Sequence, residues 1–490
     1  MRRRLLSIKL AMSACAFFLS CFLLLPRLGA QASQLGQQAQ DPTVPQQPVA
    51  PLPANGSAGP GQPPYNVSTQ SVLTQAQPDT HPLSGVEALT TGSLHRFTDM
   101  FDPGLSLSEL GYTAPAQTSP ATLTSGTTVV GTLDALKAWT DSNLRFNYSG
   151  SDTYYYPTAI YGPRNLPSHN VALSLTIVDR RWTFRLRDSF LYSWQAGFGG
   201  FFTGGPAAQD QLNPMTAVQP SLNSFGTILT GFARQVNDSS SAEVDYSFSR
   251  RTTVTLSGSY GLLDFLTSGY LSSHTLDGRA GYNYALSARN TLALISEYDR
   301  TDFGGTSTRF DSALLQMSLG HRITGRLALQ IAVGPELTLL HDFGASNTQQ
   351  LSWSLSGSLT HQTPRTGYSL SYFRGVSPGS GIYQGTRSDT ITGSANRRLS
   401  ESWSGSINGG YAGNNALVPS TIFASTFKDW FAGANLGKQI GRHLNVGLNY
   451  QYQRQLTSSG ACPVLSCGVA PSYQVFGATM HWHPWPKIAQ

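Results

Sequence analysis

From about residue 141 to the C-terminal end, apolar and polar residues alternate one by one, and nothing else in the chain restricts its fold as strongly. In LSWSLSGSL (351–359) the odd positions are Leu351, Trp353, Leu355, Gly357 and Leu359, and every even position is serine. In HLNVGLNYQYQ, Leu444, Val446, Leu448, Tyr450 and Tyr452 alternate with Asn445, Gly447, Asn449 and Gln451. WTFRLRDSFLYSW sets Trp182, Phe184, Leu186, Phe190, Tyr192 and Trp194 against Thr183, Arg185, Arg187, Ser189 and Ser193. Successive side chains of a strand point to opposite faces, so this period of two predicts strands with one apolar and one polar face.

The connections alternate as well. Short polar turns recur at 178–181, 249–252, 286–290, 321–326, 361–366, 399–402 and 438–442. Between them lie longer Gly-, Ser- and Pro-rich loops at 195–236, 377–384, 415–425 and 458–471. Tight turns at one end and long loops at the other describe an up-and-down antiparallel β-barrel of about sixteen strands, with fourteen or eighteen as alternatives. FGTILTGFARQV (225–236) is placed in the long loop to keep the turn polarity consistent. An even count puts both chain ends on the side of the tight turns.

Alternation alone also fits a soluble sandwich. A soluble barrel would turn its apolar face inward, however, and about sixteen strands enclose a lumen too wide for side chains to fill. Apolar outside and polar inside resolves this in lipid. Aromatics at strand ends (Tyr154 to Tyr156, Trp182, Trp194, Tyr450, Tyr452, Trp482 and Trp485) match interface girdles. The fold class is therefore all-β, a transmembrane barrel over 141–486.

The start of the chain reads as an export signal: Arg2, Arg3 and Arg4, an apolar run from Leu10 to Leu25, and Ala30-Gln31-Ala32 as a cleavage site, giving a signal peptide over 1–32. It holds five of the 32 basic residues and none of the 26 acidic ones, so the exported chain carries 27 against 26. That near-neutrality removes the charge argument for nucleic-acid binding. Residues 33–140 are rich in Pro, Gln, Ser and Thr and read as a mostly disordered spacer with a short helix near 84–112. Cys462 and Cys467, in a turn-rich segment of an exported protein, are expected to form a small loop disulfide.

The C-terminal strand carries Gly477, Met480 and Trp482 in a Gly-x-x-apolar-x-aromatic arrangement. With the barrel pattern over 141–486, this resembles the porin-like outer-membrane β-barrel proteins of Gram-negative-type bacteria that have a Pro/Gln-rich N-terminal spacer. The resemblance implies that the barrel-assembly machinery recognises this end, that the barrel sits in outer-membrane lipid, and that termini are periplasmic and long loops extracellular. Val475, where the family prefers a polar residue, and the residues after Trp482 depart from its pattern. No loop motif carries a substrate over.

Nothing in the sequence calls for a cofactor or a metal. His481 and His483 fall two apart on one strand face and read as polar rim residues, and no G-x-S-x-G, H-E-x-x-H or P-loop pattern occurs, so no enzyme is expected. Arg145, Arg185, Arg187, Glu243, Asp245, Arg279, Glu297, Asp299 and Glu336 fall on the polar face and are the candidate lumen and selectivity residues. Pro335 marks a bulge or a strand's outer end. Arg145, Arg185 and Arg187 are expected to share one wall opposite an acidic one of Glu243, Asp245, Glu297 and Asp299, and to give weak anion preference. Function then divides between a passive porin-like channel for small polar solutes, a non-conducting barrel for surface-polysaccharide export or anchoring, and a secreted soluble β-rich binding protein. A homo-oligomer is compatible with the first.

Overall fold

The computed structural model describes residues 100–482 and 484, leaving out the segments 115–121, 156–164, 196–231, 268–270, 305–307, 342–347, 378–384, 418–425 and 458–471 and the single positions 250, 288, 325, 364 and 442. Eighteen strands follow one another: β1 (Met100–Ala114), β2 (Thr122–Ala138), β3 (Ser142–Tyr155), β4 (Asn165–Asp179), β5 (Trp182–Gln195), β6 (Phe232–Ser247), β7 (Thr252–Phe265), β8 (Ser273–Ala285), β9 (Asn290–Phe303), β10 (Arg309–Arg322), β11 (Leu327–His341), β12 (Thr348–Gln362), β13 (Thr366–Ser377), β14 (Thr386–Arg398), β15 (Trp403–Ala416), β16 (Thr426–Ile440), β17 (Leu444–Thr457) and β18 (Ser472–Trp482). Each pairs antiparallel with its neighbour in sequence, and β18 pairs back with β1, Leu105 opposite Trp482. The sheet is closed, so no edge is left with unpaired backbone groups.

Eighteen is one of the two alternatives to sixteen. The two further strands, β1 and β2, lie within 100–138, which the sequence reading assigned to the spacer, so the barrel begins at Met100 rather than near 141. Their alternation is short and weakly apolar. In β1, Leu105 and Leu107 are exposed and Ser106 and Ser108 are buried, directly after Pro103 and Gly104. In β2, Gly126, Thr128, Val130 and Asp134 are buried, with Val129 exposed among them. The helix expected near 84–112 is strand β1 over 100–112. Segment 225–236 likewise becomes strand from Phe232 on. The signal, residues 33–99, segment 196–231, Cys462, Cys467 and His483 lie outside the described residues.

The apolar set of each strand faces out and the polar set faces in. Leu294, Met317, Leu351, Trp353 and Leu448 stand exposed on the outer wall, Leu351 at 71% and Trp353 at 65%. The inward residues Ser318, Ser354, Thr301 and Asn445 are buried. An exterior of this kind is at equilibrium only in hydrocarbon, because a water-soluble chain does not expose a continuous apolar band. The inner face is knitted by cross-strand hydroxyl pairs, among them Thr128–Thr153 (2.9 Å), Thr275–Thr301 (3.0 Å) and Ser369–Ser394 (2.7 Å). Aromatic rings crowd the tight-turn end of the outer wall, where Trp182 packs on Phe184 and Tyr246, and Lys438 lies 5.2 Å from the Trp403 ring. Toward the long loops, Tyr148, His169 and Tyr192 form a stack across three strands.

Pro335 sits inside β11 rather than at its outer end, facing outward. The ladder to β10 skips the positions of Gly334 and Pro335, and the register is the same on either side of the gap. It is a local break and not a bulge. Proline withholds its N–H there, and a Cβ at Gly334 would strike the carbonyl oxygen of Leu315 on β10.

Barrel closure between β1 and β18 carries a side-chain bond as well as its ladder. Ser106 and His481 face inward, both buried, and their Oγ and Nδ1 are hydrogen-bonded. His481→Ala is expected to assemble and to lose about 1 kcal/mol of stability, the cost of leaving one buried hydroxyl unmatched. Thermal unfolding in detergent, followed by gel mobility, checks this. Failure to assemble would assign His481 a larger part.

Candidate functional site

The inner wall is where this fold can meet a solute. All nine candidate lumen residues lie at inward positions, set by the register from Thr183–Asp245 on β5–β6 to Leu314–Glu336 on β10–β11. Arg185 on β5 stands directly opposite Glu243 on β6 and bonds both Glu243 and Asp245, the latter at 2.5 Å. Its side chain is 15% exposed, and those of Glu243 and Asp245 are 4% and 1%. Arg145 on β3 makes a bidentate pair with Asp134 on β2, at 3.1 and 2.5 Å. Arg279 on β8 meets Glu297 on β9 at 2.6 Å, with Asp277 opposite Asp299 in the adjoining row.

The expected arrangement of an arginine wall facing an acidic wall is not what forms. Each of Arg145, Arg185 and Arg279 is paired with a carboxylate on the next strand, because neighbouring strands put oppositely charged inward residues side by side. Between β5 and β11 the inward charges are Glu243, Asp245, Asp277, Glu297, Asp299 and Glu336 against Arg185, Arg187, Arg279 and, at the tight-turn end of β10, Arg322. Six carboxylates to four guanidiniums leave this wall acidic. The barrel's surplus of arginine sits elsewhere, at the tight turns (Arg180, Arg181, Arg251, Arg289, Arg326) and on the outer wall (Arg300, Arg309, Arg374, Arg454).

Asp277, Glu297 and Asp299 bring three carboxylate oxygens within 4.8 Å of one another. A cation held there would share Glu297 with Arg279. Glu336 belongs to a different environment. Its carboxylate accepts from Ser312 Oγ at 3.3 Å and from the backbone N–H of Val376 at 3.2 Å. Above it, toward the loops, Phe303, Phe310 and Leu340 form a buried apolar cluster on which Val376 and Leu417 pack.

Several residues of this site escape a sequence reading. Asp134 lay in the stretch taken as spacer. Asp277 sits in β8 between short residues, Gly278 and Thr275, that blur the alternation. Asp429 on β16 is fully buried and inward. On the outer wall, Asp188 of β5 falls in the apolar set, where Ser240 Oγ donates to it at 2.6 Å, with Asp238 on the same face. Arg309, Asp311 and His341 pair near the loop end of that wall, at 2.9 and 3.1 Å. The parity of Asp188 among Leu186, Phe190 and Tyr192 is the signal that could have revealed the outward acids.

The insertion-signal residues lie where a lipid-facing terminal strand puts them: Met480 and Trp482 exposed on the outer wall, and Gly477 inward, opposite Asn449.

A closed antiparallel barrel that is apolar outside and polar inside is the architecture of porin-like outer-membrane proteins. No protein-family profile and no curated relative matches the sequence. Among solved structures, the chain is similar to the outer membrane protein OpdK of Pseudomonas aeruginosa, at 11% identity and a TM-score of 0.39, over 78% of this chain and 98% of that one. It is likewise similar to OccK2 (OpdF) of Pseudomonas aeruginosa, at 10% identity and a TM-score of 0.40, over 78% and 98%. A BenF-like porin from Pseudomonas fluorescens Pf-5 aligns at 9% identity and a TM-score of 0.40, over 78% and 98% of the two chains.

Proposed function

We propose that the chain is a passive outer-membrane channel for small polar solutes, with a preference for cations. The observation that carries this reading is the inward acidic wall of β5–β11. Charges that face a lumen select permeating ions by sign, and six inward carboxylates there face four guanidiniums. Orientation follows from the turn asymmetry: termini and tight turns in the periplasm, long loops outside, and Trp482 at the edge met by the assembly machinery. Outer-membrane lipid is then the solvent of the outer wall.

The purified protein in a planar bilayer is expected to give discrete conductance steps. On intact cells, an epitope tag in 418–425 or 458–471 should be accessible to antibody and one at 399–402 should not. No steps in the bilayer would move the reading to a non-conducting export or anchoring barrel, and surface exposure of 399–402 would invert the topology.

A further inference from the structure

The ladder between β12 and β13 stops short. It runs from Gln362–Gly367 to Leu355–Arg374, and the next positions in the same register, Ser354 with Gly375 and Trp353 with Val376, are not paired although all four lie in strands. β12 continues along β11 to Thr348, and β13 continues along β14 to Ser377. The wall is thus unzipped on one seam, in its loop-side half.

Side chains from the lumen stand in for the missing ladder. Glu336 of β11 reaches past β12, and both of its carboxylate oxygens accept from the Val376 N–H at 3.2 Å. Ser354 Oγ donates to the Arg374 carbonyl at 3.2 Å and accepts from Gln316 Nε2 of β10 at 2.9 Å. Backbone groups at membrane depth must be satisfied, and these bonds do so. A ladder bond is fixed by two strands, whereas a carboxylate or hydroxyl releases its partner by turning about its own χ angles.

The seam also joins two apolar surfaces. Inside, Val376 packs on the buried cluster of Phe303, Phe310 and Leu340. Outside, the flanking β12 residues Leu351 and Trp353 are the two most exposed large apolar side chains described. An apolar molecule in the mouth of the lumen therefore meets an apolar lining on both sides of a wall that is held there by side chains alone.

We propose that this seam is a lateral exit, through which a small apolar or amphipathic molecule passes between the mouth of the lumen and the outer leaflet. The proposal rests on the channel reading for access from the lumen, and on nothing else in it.

The test uses whole cells producing the protein and the apolar dye N-phenyl-1-naphthylamine, which fluoresces on reaching the membrane interior. Producing cells should take up the dye several-fold faster than cells lacking the protein. Ser354→Cys with Gly375→Cys puts thiols at the first unpaired positions, both buried on one face of the wall, and a cross-link between them should abolish that excess, with recovery on reduction. Glu336→Ala, which removes the acceptor for Val376 N–H, should speed uptake, and Glu336→Gln, which keeps an acceptor, should not. Uptake no faster than without the protein, uptake unaffected by the cross-link, or uptake unchanged in Glu336→Ala would each overturn the exit. Bilayer conductance of the cross-linked protein separates the two readings: it should persist when the dye route closes, whereas dye uptake by a protein that never conducts would remove the channel and keep the seam.

Discussion

Arg185→Ala is expected to cost about 3–5 kcal/mol of barrel stability, toward the lower end because the guanidinium keeps some contact with the lumen. The reason is what the substitution leaves behind. Glu243 and Asp245 are two inward carboxylates on one strand, 4% and 1% exposed, and Arg185 bonds both. Without it they repel each other in a poorly solvated wall. The companion variant Arg185→Ala with Glu243→Gln and Asp245→Asn removes charge on both sides and should recover most of the loss, since replacing a whole buried pair is far cheaper than breaking it. Thermal unfolding in detergent, read as loss of the compact gel species, distinguishes them. A single variant as stable as the parent would show that the three side chains are wetter than the geometry indicates.

The same geometry changes what a double Arg185→Glu, Arg187→Glu variant would report. On the expectation of a free arginine wall, that variant reverses ion preference. With Glu243 and Asp245 one strand away, it places four carboxylates on two neighbouring strands, and impaired assembly precedes any change in selectivity. The selectivity experiment therefore belongs on β8 and β9.

How far the sequence leads is visible in these residues. Strand existence, strand ends and inward or outward side follow from a period of two, which is local, so Arg185, Glu243, Glu297 and Glu336 are assigned to the lumen from their own neighbours alone. Partnership is not local. Whether Arg185 meets Glu243 depends on register across segment 196–231, and no pattern within either strand encodes that register. β1 and β2 failed for another reason. Their inward positions are mostly Ser, Thr and Gly and their outward apolar residues few, so composition resembles a spacer, and only closure on β18 makes them strands. The seam between β12 and β13 was hidden for the same cause: both strands alternate well, and the unpaired stretch is a property of the pair.

In a salt gradient, the unmodified channel is expected to show a reversal potential of the cation-selective sign. The net inward charge of the β5–β11 wall is two carboxylates in excess of its guanidiniums, and the outer-wall arginines face away from the lumen. Glu243 and Asp245 share Arg185 and leave one charge over, whereas Asp277, Glu297 and Asp299, gathered within 4.8 Å with only Arg279 beside them, leave two. Asp277→Asn with Glu297→Gln and Asp299→Asn leaves Arg279 and Arg187 as the charges of that region and should bring the preference to zero or past it. Glutamine and asparagine keep acceptors for the Arg279 guanidinium but not its ion pair, so this variant is expected to be less stable than the parent, and its compact gel species is checked before selectivity is read. The difference between parent and variant should be greatest at low ionic strength and shrink as salt rises, because the Debye length falls from about 30 Å at 0.01 M to about 3 Å at 1 M. Anion selectivity in the parent would reject the acidic wall as the determinant and return the choice to Arg187. An unaltered reversal potential in the triple variant would place the selecting charges in the loops.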